Sequence, residues 1–244
     1  MLDFDRFDRM MVEGRIIRNA WVGTDAQGRE TACALAALVP ACGAAQTASA
    51  CPAEALPGWM AELIPALDDA TSLDGWRDRV VRLGGALRPT VGWTPQQWRR
   101  CEARVHIAIL TEARSHVAAD YDHALAAIDG VTALWRRVAA GDSPSDHEWA
   151  AAKAKAEAAE AEADASTPTV AGAAAAAAGW AAEARAEAAR AAAAAAAEAA
   201  VEAAARAWAA WAVVARAGVA SWNRICDGVI AALGVSDEQS QCET

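Results

Sequence analysis

Apolar side chains recur along this chain in two rhythms. Up to residue 90 they come in short, interrupted groups; from residue 91 onward they return every three or four residues over long stretches. Trp76, Val80, Leu83 and Leu87 are spaced by four, three and four, which predicts an amphipathic helix over 74–87. Gly84-Gly85 weakens its end. Thr94-Pro95 is a strong helix start, because Thr caps free N–H groups and Pro sits where its missing N–H costs nothing. A helix is predicted from there toward His116 and on to Ala140, with a break near 118–120, until Gly141-Asp-Ser-Pro144 ends it. Ser145-Asp-His-Glu148 is a capping box and opens a helix through Asp164. After Ser166-Thr-Pro-Thr169, no proline occurs from Val170 to Leu233. That stretch predicts one very long helix, or two to three stacked ones, ending at Gly234.

Two stripes run along this last segment. Glu183, Glu187, Arg190, Glu198, Glu202 and Arg206 keep charge on one helical side. Trp211, Ala215, Gly218, Trp222, Ile225 and Val229 follow the alternating rhythm of a packing seam. Signals before residue 90 are weaker. Arg15–Val22 predicts a short strand or extended arm, Gly23–Gly28 a turn, and 29–39 a short helix stopped by Pro40. Cys42–Ser49 reads as a loop, and Pro57, Gly58 and Pro65 divide 52–70 into short helical pieces. The expected fold class is all-α. An alanine-rich bundle or array of long antiparallel helices spans 91–244, after a region of short helices and loops over 1–90, as two domains or one continuous one.

Composition sharpens this expectation. Alanine supplies 72 of the 244 residues, and the aromatic residues are 11 Trp, two Phe and one Tyr. Alanine forms helices at the least entropic cost but buries little area, so a core must thicken where Trp, Leu, Ile and Val gather. The 32 carboxylates against 22 cationic side chains give a net charge of −10. Such a surface repels phosphate backbones, which argues against nucleic acid and favours a basic protein partner. The charged start, Met1 to Arg9, does not read as a signal peptide. The pure alanine run Ala191–Ala197 is flanked by Arg190 and Glu198 and is weakly lipophilic, so no membrane span is expected. The expected location is therefore cytoplasmic. Six cysteines, at 33, 42, 51, 101, 226 and 242, are then expected to be reduced. The even spacing of the first three lacks the close pairs of a zinc template.

The best chemical constellation is Glu112, His116, Asp120 and His123. On a continuous helix, offsets of four, four and three put all of them on one face, the way bundle metal sites are built. The alternative is a helix edge with ordinary ion pairs, and it is preferred because no second helix offers matching ligands. Cys101 and His106 fall on different helical faces, and no nucleotide-binding or serine-hydrolase motif is present. Neither a catalytic residue nor a cofactor is expected. Each tryptophan is first a core candidate, since indoles are the main large fillers. Trp180 and Trp208 lie nearer the charged stripe and are the candidates for exposed partner anchors.

Trp180-Ala-Ala-Glu-Ala-Arg-Ala-Glu-Ala-Ala-Arg190 and Ala203-Ala-Ala-Arg-Ala-Trp-Ala-Ala-Trp211 resemble the alanine- and tryptophan-rich helices of immunity proteins found in phage genomes and bacterial toxin–immunity loci. The resemblance covers residues 145–233 and rests on texture. Trp21-Val-Gly-Thr-Asp-Ala-Gln-Gly-Arg-Glu-Thr-Ala-Cys33, with Cys51-Pro-Ala-Glu54, is similar to uncharacterised phage and prophage proteins of high-GC bacteria. What these resemblances imply is an all-α, non-catalytic protein that binds another protein, such as a toxin or host defence component, with no catalytic residues to carry over. The alternatives are a self-assembling helical scaffold or virion-associated protein, which makes a homo-oligomer, and a metal-binding helical-bundle enzyme.

Overall fold

The structure is a computed structural model and describes residues 1–70, 73–117, 121–166 and 219–234. The described chain is all-α apart from one small hairpin, and it divides into two compact units, Met1–Trp93 and Thr94–Thr244. No helix among the described residues is long and apolar enough to cross a membrane.

The first unit opens with helix α1 (Phe4–Val12), in a stretch whose dense charge hid it from the apolar pattern. Asp3 caps it by accepting from the Arg6 N–H at 2.9 Å. Phe7, Met10 and Met11, spaced by three and one, are its buried side. Ile16 makes a single bridge to Ala32, so the expected arm is extended but mostly not strand. The expected turn closes a hairpin of β1 (Val22–Thr24) and β2 (Glu30–Ala32), in register Val22 to Ala32. Asp25 accepts from the N–H groups of Gln27 and Arg29 inside the turn, and Gly28 takes φ +77° there.

The helix expected over 29–39 therefore begins late. Residues 30–32 pair as strand, and α2 (Ala34–Leu38) starts only after Cys33. All five of its residues are buried, with α1, α4 and β2 around it. A further short helix, α3 (Pro40–Ala45), occupies what reads as a loop, and it packs on α2. Gly43 permits the crossing: a Cβ there would come within 3.1 Å of the Ala36 Cβ and 3.0 Å of Val22. A 3-10 turn at Ala48–Ala50 follows. Then α4 (Gly58–Ala70) runs as one helix through Pro65 rather than as separate pieces. Finally α5 (Trp76–Leu87) buries Val80, Leu83 and Leu87, as its spacing predicts.

The second unit is built from long helices. α6 (Pro95–Ser115) starts with a complete capping box between Thr94 and Gln97. It ends at His116, and α7 runs from Asp122 to Ala139. α8 (Asp146–Ser166) opens with Ser145 and Glu148 capping each other. α9 spans Val219–Gly234. Pairings fix the directions. Arg114 grips Asp129 and His106 stacks on Trp135, so α6 and α7 are antiparallel. Arg137 reaches Glu148 across the tight α7–α8 connection. Residues 221, 224 and 228 of α9 face 116, 112 and 108 of α6, which is again antiparallel.

Alanine sets the spacing in this unit and indole fills it. Ala103, Ala113, Ala124, Ala127, Ala156 and Ala159 share one core with Leu110, Ile128, Val131, Trp135, Val138 and Trp149. The Trp135 and Trp149 rings meet edge to face at 5.0 Å, a preferred aromatic geometry. On α9, Trp222, Ile225 and Val229 are buried, the described portion of the predicted seam. Gly228 lets α9 approach α6 closely, since a Cβ there would lie 2.7 Å from that of Ala108.

Candidate functional site

The largest polar cluster of the second unit lies where the end of α6 meets the start of α9. Glu112 and His116 stand one turn apart on α6, and Ser221 and Arg224 stand three apart on α9. Arg224 grips Glu112 with two parallel bonds, Nε to Oε2 at 2.7 Å and Nη2 to Oε1 at 2.6 Å. This fork geometry is the strongest form of carboxylate recognition. His116 Nε2 lies 2.8 Å from Glu112 Oε1 and 2.8 Å from Ser221 Oγ. Arg224 Nη2 also donates to Ser221 Oγ at 3.1 Å. The bonds from Arg224 hold the Glu112 carboxyl down at about 2, against the opposing effect of burial, with Ser221 and His116 adding to the same side.

Serine, histidine and glutamate together invite a catalytic reading, and the geometry rejects it. A relay needs the carboxylate on one ring nitrogen and the nucleophile on the other. Here both partners share Nε2, and Ser221 is fully buried. Arg224 also neutralises the carboxylate that would have to support an imidazolium. The cluster acts instead as a polar latch that fixes the register of α9 on α6.

The metal reading of the same face rests on one continuous helix from 112 to 123. α6 ends at Ser115 and α7 begins at Asp122, so His123 belongs to a different helix, where it is exposed. Glu112 and His116 do stay together, but with an arginine rather than a cation site between them. Asp120 lies outside the described residues, as do Trp180 and Trp208. Among the described residues, no group of three or more His, Cys, Asp or Glu side chains is gathered to hold a metal ion. Arg224 is the member that sequence reasoning missed. Its only sequence signal is position: it sits beside Trp222 and Ile225 in the packing seam, where a charge calls for a buried partner.

A second buried carboxylate lies in the first unit. Asp68, near the end of α4, is 3 % exposed and accepts from the Trp76 indole N–H at 2.6 Å. The Ala34 N–H at the start of α2 lies 3.4 Å away. Arg18 donates to the Asp68 backbone carbonyl at 2.9 Å and stacks over the Trp76 ring. Asp69 accepts from the Asn19 N–H at 2.6 Å. Burial pushes the Asp68 carboxyl up to about 6, although the Trp76 and Ala34 bonds oppose it. The pair joins the 15–19 segment to the end of α4, so its work is structural rather than acid–base chemistry.

Comparison with family models, with curated proteins and with solved structures returns no match. Function has to be argued from this chain alone.

Proposed function

We propose that this chain is a non-catalytic protein-binding protein of phage or prophage type, which neutralises a basic toxin or host defence component by covering it. The reading is carried by α8. This helix meets α7 along one seam, Trp149, Ala152, Ala156 and Ala159, spaced by three, four and three. Its sequence adds Asp146, Glu148, Glu157, Glu160, Glu162 and Asp164 against only Lys153 and Lys155. Asp146 and Glu157 are exposed. An acidic helix held by one apolar seam presents charge for steering a cationic partner. The internal use of the Glu112 cluster also leaves its polar groups occupied within the fold.

The test is capture on the purified chain from a high-GC bacterial lysate, followed by reconstitution with the purified candidate partner. A stoichiometric complex is expected. It should weaken with added salt and with the double reversal Asp146→Arg, Glu157→Arg. A defined multimer of the chain alone, with no partner retained, would overturn the reading in favour of a self-assembling scaffold.

A further inference from the structure

Three cysteines of the first unit converge around α3. Cys33 caps α2, with its sulfur accepting from the Ala36 N–H at 3.4 Å. Cys42 lies inside α3 and is fully buried, and Cys51 follows the 3-10 turn and is partly exposed. The thiols of Cys42 and Cys51 hydrogen-bond each other. The backbone holds them there: the Thr47 N–H donates to the Cys42 carbonyl at 3.2 Å, and the Cys51 N–H to that of Ala48 at 2.9 Å. All three are free thiols.

We propose that Cys42 and Cys51 form a redox modification site, a dithiol that low-molecular-weight disulfides convert to an intramolecular disulfide. The chemistry runs in two exchanges. The thiolate of Cys51, the reachable sulfur, attacks one sulfur of the small disulfide; a mixed disulfide forms and one small thiolate leaves. The Cys42 thiolate then attacks the Cys51 sulfur, which forms the intramolecular bond and expels the second small thiolate. Two protein thiols are oxidised, one small disulfide is reduced to two thiols, and two protons balance the charges.

The local structure suits the second step. The two sulfurs are already in contact and need only close to about 2 Å. The segment that must move is a single short turn, with Ser49 exposed and Thr47 and Ala50 partly exposed. Cys33 is the weaker partner, because its sulfur is engaged as the α2 cap. Burial raises both reacting thiols, Cys42 to about 12, so thiolate is scarce at neutral pH and the exchange is slow until the medium turns alkaline. The bond would pin the turn to α3 and, since the turn also packs on α4, would stiffen this edge of the unit.

The test exposes the full chain to oxidised glutathione and reads intact mass and fragment masses. The native chain and Cys33→Ser should both form the 42–51 disulfide, at a rate that rises with pH. Cys51→Ser should not form it. Cys42→Ser should instead keep a glutathione adduct on Cys51, because the resolving sulfur is gone. Oxidation of the native chain should raise the melting temperature of the first unit by roughly 5–10 °C. A stable glutathione adduct on Cys51 in the native chain would overturn the proposal, as would a 33–42 disulfide dominating in its place.

Discussion

Glu112 is 7 % exposed and carries a charge, a combination proteins tolerate only with full pairing. Arg224 supplies two bonds, and His116 and Ser221 complete the set. Removing Arg224 leaves the carboxylate buried with neutral or weakly charged neighbours. Arg224→Ala should therefore cost about 1–3 kcal/mol, discounted because the arginine itself is half exposed. It should also move the Glu112 carboxyl up from about 2. Glu112 is depressed in the folded state, so its contribution is present above the ordinary carboxylate range and is lost as pH falls toward 2. Urea denaturation and a carboxyl titration by NMR give both readings. An unchanged Glu112 titration in Arg224→Ala would show that the latch does not depend on the guanidinium.

Between elements, glycine decides how close helices come. In α5, Gly84 faces Phe7 of α1, and a Cβ there would sit 2.4 Å from the ring. Gly85 has nothing within 4 Å. Gly84→Ala should destabilise by about 1–3 kcal/mol through overpacking. Gly85→Ala should stabilise by about 0.5–1 kcal/mol through helix propensity alone. Gly228→Ala should behave like Gly84→Ala, because the Ala108 methyl at 2.7 Å is rigid. Chemical denaturation of the three variants checks the signs, and equal effects at 84 and 85 would refute this packing. Local signals of this kind were legible in the sequence: the Thr94 and Ser145 caps, the α5 face and the Trp222–Val229 seam. Non-local ones were not. β2 takes its residues from a predicted helix because Val22 and Ile16 pair with Ala32. α1 shows only three apolar positions among charges. At the site, the Glu112–His116 pair follows from helical spacing, but Arg224 lies 112 residues further on and only folding brings it there.

Acid should act oppositely on the two units. In the first, burial raises the carboxyls of Asp68 and Glu62, and only the exposed Asp25 is lowered. Raised carboxyls bind protons more tightly in the folded chain. Their contribution is fully present below the ordinary carboxylate range and is lost as pH rises, through about 6 for Asp68. In the second unit the shifted acids all run the other way. Glu112 and Glu148 are held near 2, Asp129 and Asp142 are lowered, and burial against Trp135 pushes the His106 imidazole down to about 4. His106 stacks 4.2 Å from the Trp135 ring and stays neutral in the folded state. As pH falls from the ordinary histidine range toward 4, the unfolded chain takes up a proton that the folded chain refuses, and stability drops. Asp68 and His106 each contribute on the order of 2–3 kcal/mol, with opposite signs. Melts followed by the indole N–H signals of Trp76 and Trp135 at neutral pH and at about pH 4.5 should then separate. The Trp135 signal should be lost at a lower temperature in acid, while that of Trp76 shifts less or rises. Asp68→Asn, neutral at every pH, should raise the Trp76 transition at neutral pH and remove much of its acid response. Two signals lost together, with the same acid shift in the native chain and in Asp68→Asn, would mean that these buried groups do not govern how the units respond to pH.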